Sequence, residues 1–316
     1  CTYADNGEHY LVFDGDDDYI EVDHHSELDM NLNVWTVDAW IYPIAYTPGG
    51  ARNAIISKKG CGGGGDWINQ DGWNFTISSS EAAAGPVDST LHFAMLEGGG
   101  SSDPAWLQGY GSIPIELNKW QHVIVSANPI SHDIIFYVDG VQDVTFYSSH
   151  GNLQNPIYVD LPLSIGHTYC DYVDPSDPIH WPFIGSIADV GIHKVFIDSE
   201  EDAQLLMDGL LPGGFEENVV ADWKLNTGSG LTAVDHSTNR HHGEILGGTE
   251  WVFRIDGCMD SVASNYNPDA TDEDGSCLYT NNGDFTLLFD GQDDVVETVI
   301  PETYNWDHNQ SFTMSA

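Results

Sequence analysis

The chain has 316 residues, 50 of them acidic and eight basic, for a formal net charge of −42. Phosphate recognition needs Lys and Arg, so nucleic acid is excluded as a natural partner, and self-repulsion on this scale calls for cations that screen or bind the folded state. With 41% apolar and 11% aromatic residues the chain is a packed protein rather than a disordered one, long enough for one large or two medium domains, and it holds no apolar run of membrane-spanning length.

The opening segment CTYADNGEHYLVFDGDDDYIE returns near the other end as CLYTNNGDFTLLFDGQDDVVE, with eleven of twenty-one positions identical and no gap. With one residue inserted, WTVDA (35–39) also meets FTMSA (312–316). A repeat of this period is a domain rather than a solenoid unit. The expectation is a tandem array, of which this chain is one full link and the start of the next.

Next come β-branched and alternating segments: YLVF, YIEV, WTVDAWIYPI, AIIS, WNFTI, LHFAM, WQHVIVSA, IIFYVDG, LSIG, SIADVGIHKVFI and VVADWKL. Gly, Asn, Asp and Pro clusters separate them, which predicts an all-β, antiparallel two-sheet protein. Asp139-Gly140 reads as a hairpin turn. One short helix is expected over SEEDAQLLMDG, capped by Asp198-Ser199, with acids in its first turn and Gly209 at its end.

These segments, in this order, resemble the laminin-G-like jelly roll of the concanavalin-A-like lectin and glucanase superfamily. FDGDDDYIEV and WTVDAWIYP resemble its opening strands, KWQHVIVSA and IIFYVDGVQ its central hairpin. FIGSIADVGIHKVFIDSEEDAQLL is similar to its late strand and helix, and WKLNTGSGLTAVDHSTNRHHGEI to its closing segment. The resemblance implies a jelly-roll β-sandwich over residues 7–256, with residues 1–6 ending a preceding linker. It also implies calcium at the rim, with Asp14, Asp16, Asp18 and Asp189 as candidate ligands. Hydrogen bonding of Asp to turn amides is an equally ordinary use of such residues.

Catalysis is not expected. Glu21 and Asp23 share a strand face as glycosidase carboxylates do, with Glu27 following only if a bulge extends the strand. The second copy, however, reads ETVIPET and loses the Asp and the spacing. His24-His25 and His241-His242 are adjacent pairs that point to opposite faces and cannot each clamp one ion. No nucleophile elbow, phosphate loop or zinc-ligand spacing is present.

Residues 257–280 form a linker, followed by the first strands of a further jelly roll over 281–316. The stretch GCMDSVASNYNPDATDEDGSC resembles a short Gly-Cys-Thr-Asp…Asp-Gly-Ser-Cys module of secreted and surface proteins of Bacteroidota, with Met259 in place of its Thr. It has almost no apolar core, so a Cys258–Cys277 disulfide and a bound calcium are the devices that would fold it. Asp269, Asp272 and Asp274 are the leading ligands, with Asp260 and Asn265 beside them; the alternative is a solvated acidic linker. Cys1 matches Cys277, and its partner would lie in a preceding repeat. Cys61 and Cys170 remain as a loop-to-loop pair. Disulfides place the protein in an oxidising compartment, extracellular or at the cell surface.

The leading functional expectation is a structural, adhesive repeat of a large surface protein or fibre, partnered by neighbouring repeats and other copies. The alternative is a carbohydrate-binding, lectin-like module. Its candidate ligand residues are the aromatics Trp67, Trp106, Tyr110, Tyr169, Tyr172 and Trp181, in Gly-, Pro- and Asp-rich loops; Trp73 reads as core.

Overall fold

A computed structural model describes residues 9–30, 32–46, 52–59, 72–78, 89–97, 105–151, 153, 160–169, 179–211, 216–273 and 275–279. Cys1, Cys61, Cys170, Trp67, Tyr172, Asp274 and the second copy (281–316) lie outside them.

The strands are β1 (His9–Asp14), β2 (Tyr19–Val22), β3 (Trp35–Pro43), β4 (Asn53–Lys59), β5 (Gly72–Ser78), β6 (Thr90–Glu97) and β7 (Ala105–Pro114). Then follow β8 (Gln121–Asn128), β9 (Asp133–Val138), β10 (Val141–Asp143), β11 (Phe146–His150), β12 (Leu163–Ile165), β13 (Thr168–Tyr169) and β14 (Ile179–His180). The last are β15 (Ile184–His193), β16 (Val219–Trp223), β17 (Thr232–Ala233), β18 (Gly243–Leu246), β19 (Glu250–Phe253), β20 (Asp256–Gly257) and β21 (Asp272–Glu273). Among the described residues one α-helix, α1, spans Glu200–Met207.

Two antiparallel sheets carry the fold. The eight-stranded sheet runs β10-β9-β8-β3-β15-β1-β19, with β16 also paired to β15. The nine-stranded sheet runs β11-β7-β6-β5-β4-β12-β2-β18-β17. Alternation aims one side of each strand at a shared interior: Trp35, Val37, Ala39 and Ile41 of β3 meet Trp73, Phe75 and Ile77 of β5 in one buried cluster. Phe75 and Phe136 stack between the sheets, with ring centroids 6.3 Å apart. Trp73 is fully buried.

The local signals fold as their chemistry directs. Asp139 (φ 51°) and Gly140 (φ 75°) form the two-residue turn joining β9 and β10, the left-handed pair that a tight hairpin requires. Ser199 caps α1 by accepting the Asp202 N–H, and Glu200, Glu201 and Asp202 fill its first turn. The helix lays Ala203 and Leu206 on Ile124, Tyr137 and Ile197, covering part of the outer face of the eight-stranded sheet.

One expectation is corrected. Trp106 and Tyr110 lie on strand β7, not in a loop. The glycines that suggest a loop are there for close approach: a Cβ on Gly109 would sit 3.0 Å from Ile134, and one on Gly111 would collide with the Asp143 carboxylate. Beyond the sandwich, Cys258 and Cys277 are disulfide-bonded, with Cα atoms 4.8 Å apart. No helix among the described residues is long and apolar enough to cross a membrane.

Candidate functional site

The outer side of the nine-stranded sheet carries the densest set of binding chemistry. Cross-strand register aligns one row of small and polar residues: Glu244, Glu21, Ser164, Ser57, Asn74, Ala94, Gln108 and Ser148. On β7, alternation sends Leu107 and Gly109 inward and leaves Trp106, Gln108 and Tyr110 on this outer side, partly exposed. His150 of β11 stacks beside Trp106, with centroids 6.2 Å apart and planes 23° off parallel. Tyr110 lies against His92 at 4.6 Å.

Cations converge here as well. Arg52, just before β4, lies beside the Tyr110 hydroxyl. Its Cζ lies 5.1 Å from the centre of the Trp181 indole, and Lys59 Nζ lies 5.8 Å from the same ring, within cation–π range. Burial, and then the neighbouring Arg52, push the Lys59 ammonium down to about 7. Burial, Arg52 and Lys59 together hold His92 well below its usual value. Trp181 sits at φ 56°, a true outlier for a bulky residue, and its carbonyl accepts the Ala54 N–H at 2.9 Å.

The floor between these groups is polar and buried. Thr76 Oγ1 and His92 Nδ1 are 3.2 Å apart. Both amide atoms of Asn74, Ser57 Oγ and His92 Nε2 are buried without a hydrogen-bond partner. Flat rings beside oriented amides, hydroxyls and cations suit a ligand that presents C–H faces and hydroxyl groups. Trp106, Tyr110 and Trp181 are thus brought to one face. Tyr169 lies on β13, which pairs with β14 in a separate two-stranded sheet beside β4. Sequence reading missed Arg52, Lys59, His92 and Asn74, since no local motif marks them.

The other candidates are distributed differently. Asp14, Asp17 and Asp18 place carboxylate oxygens within 4.8 Å of one another. Asp18 accepts the Asp14 N–H, and Asp14 accepts the Asp16 N–H, so Asp17 rather than Asp16 completes the cluster. Asp189 is not part of it. It lies five residues beyond Ile184, the partner of Asp14, in a bulge of β15, and pairs with Lys224 at 3.5 Å.

Among the described residues, the linker carboxylates do not gather round one point. Asp272 accepts the Trp120 indole N–H and the Thr271 hydroxyl. Asp260 accepts the Val262 N–H and the Tyr279 hydroxyl. Asn265 bridges Ser276 and Leu278, and Asp269 is exposed. Asp272 instead docks the linker on the jelly roll, where Trp120 packs against Tyr10 and Tyr42.

Glu21 and Asp23 line a shallow hollow with Glu244, and burial, then Asp23 and Glu244, raise the Glu21 carboxyl. Glu27 turns away to His241, 3.0 Å from its Nε2. The two His pairs meet through His25 and His241, whose rings are 4.2 Å apart. On the opposite sheet, Asp38 accepts from His122 at 3.2 Å and His193 at 2.9 Å at the edge of a cavity of about 410 Å³.

Among solved structures, the chain is similar to a Bacteroides ovatus protein assigned as carbohydrate-binding. The two are 19% identical with a TM-score of 0.52, over 78% of this chain and 60% of that one. The carbohydrate-binding module CBM40 of a Ruminococcus gnavus sialidase is 11% identical over 63% of this chain and 98% of its own, with a TM-score of 0.42. A pentraxin of Limulus polyphemus is 15% identical over 64% and 83%, with a TM-score of 0.39. No curated protein matches this chain. Residues 14–201, more than half of the sequence, match the Laminin_G_3 family model, and the chain therefore belongs to the concanavalin A-like lectin/glucanases superfamily.

Proposed function

We propose that this chain is a carbohydrate-binding, lectin-like module of an exported protein, and that the outer face of its nine-stranded sheet holds the saccharide. The observation that carries this reading is the convergence of Trp106, Tyr110 and Trp181 with Gln108, Arg52 and Lys59 on that one face. The B. ovatus protein, which shares the fold, is in keeping with it.

The test is a glycan array probed with the intact chain, followed by calorimetry on the best ligand. Trp106→Ala and Tyr110→Ala should each weaken binding about tenfold, close to 1.4 kcal/mol, with circular dichroism unchanged. Saccharide binding that both variants leave intact would move the site elsewhere.

The repeated opening segment supports a wider role for the module, as one bead of an adhesive surface array in which tandem copies multiply weak contacts. The linker docked through Asp272 and Trp120, and stapled by Cys258–Cys277, would set the angle between beads. The disulfide suits an extracellular or surface setting. An all-oxygen donor set at Asp14, Asp17 and Asp18 fits a hard cation such as calcium.

A further inference from the structure

We propose that the saccharide taken by this face is acidic, and that its carboxylate or sulfate group seats between Arg52 and Lys59 beside the Trp181 ring. The inference rests on the reading of the face as a saccharide site and adds the chemical class of the ligand.

The argument begins with charge accounting. Only eight of 316 residues are basic, against 50 acids. Lys58 pairs with Asp29, Lys119 with Glu116, Lys224 with Asp222 and Arg254 with Asp256. Four bases have no carboxylate partner among the described residues: Arg240, which is exposed, Lys194, half-buried over the Trp35 ring, and the pair Arg52 and Lys59. Arg52 and Lys59 flank the same indole, and Lys59 is only 7% exposed.

Two cations set together, one of them deeply buried, are unfavourable without a counter-charge. Burial first, and then the neighbouring Arg52, hold Lys59 down to about 7. A protein with six acids for every base could readily have placed a carboxylate here, and an anion brought by the ligand would supply what is missing. Donors for its remaining oxygens stand on the same face in the buried, unpartnered Asn74 amide.

The rest of the molecule narrows the ligand further. A surface of net charge −42 repels a densely charged strand. The anion must therefore be held by short-range contacts in a desolvated place. Acidic groups spaced along a sugar chain meet that condition, with neighbouring rings free to lie on Trp106 and Tyr110.

The experiment compares matched ligands by calorimetry on the intact chain. One pair is a glucuronoxylan oligosaccharide, whose uronate sits on a neutral chain, and its methyl ester; the other is carrageenan oligosaccharide and its desulfated form. The acidic member of at least one pair should bind about tenfold more tightly than its neutral twin, and the pair that responds tells carboxylate from sulfate. Arg52→Gln and Lys59→Met should erase the preference, so that within each variant the acidic and neutral members bind equally, and Lys59→Arg should retain it. The wild-type comparison stands even if a variant fails to fold.

Equal binding of acidic and neutral members would overturn the inference and leave the saccharide reading standing. No binding to either member of both pairs would overturn both. A preference that survives in Arg52→Gln and in Lys59→Met would refute the assignment to these two side chains.

Discussion

Asp235 is fully buried, and its carboxylate gathers four hydrogen bonds. The N–H groups of Asp222, Ser237 and His241 reach it at 2.9, 2.8 and 2.7 Å, and the Ser237 hydroxyl at 2.8 Å. It thereby ties β16 to the segment that leads into β18, beside Trp223, whose indole donates to the His241 carbonyl at 2.8 Å. Asp235→Ala leaves three buried N–H groups without an acceptor. Each costs about 1–3 kcal/mol, and partial relaxation brings the expected total to about 3–5 kcal/mol, within the range for breaking a buried network. At roughly 2–4 °C per kcal/mol for a domain of this size, Tm should fall by about 6–20 °C. Asp235→Asn keeps one acceptor oxygen but sets an amide NH2 against donors, and should fall about half as far. Equilibrium urea unfolding followed by tryptophan fluorescence measures both. A loss under about 1 kcal/mol in the alanine variant would show that the surrounding amides find other acceptors, and the network argument would fail.

Lys58 is fully buried, with its ammonium on Asp29 at 2.8 Å, His24 at 3.0 Å and the Leu161 carbonyl at 2.9 Å. Lys58→Met should cost about 3–5 kcal/mol by stranding Asp29, while Lys58→Met with Asp29→Leu should recover much of it, as urea midpoints will show. Lys59, beside Arg52 and His92, is held near 7 in the folded state against 10.5 for a free lysine. The unfolded chain therefore binds the extra proton between these values, so stability should rise with pH from about 7 to 10 by up to ~1.4 kcal/mol per unit; an unchanged slope in Lys59→Met would refute this. Trp120→Phe removes the donor that Asp272 accepts and should raise hydrogen exchange over residues 255–279 without altering the sheets. Unchanged linker protection would refute the role given to this bond in docking the linker.

Much of the architecture is legible locally. Period-two patterning in WTVDAWIYP and WNFTI places Trp35, Val37, Trp73 and Phe75 inside, because a strand's neighbours alone decide which side is apolar. The Asp139-Gly140 turn and the Ser199 cap follow from backbone chemistry within four residues. The Cys258–Cys277 bond follows from the resemblance of the linker to a known module. The site is another matter. Glycines 109 and 111 read as loop until Ile134 and Asp143 are seen to press against them. Nothing near Asp272 in the sequence announces that Trp120, 152 residues away, donates to its oxygen. Arg52 and Lys59 at the two ends of β4, Tyr110 on β7 and Trp181 after β14 come from three separate parts of the chain. A jelly roll interleaves strands that are far apart in sequence, so composition sets how each strand faces the core, while only the strand order of the closed sandwich decides which outward side chains become neighbours.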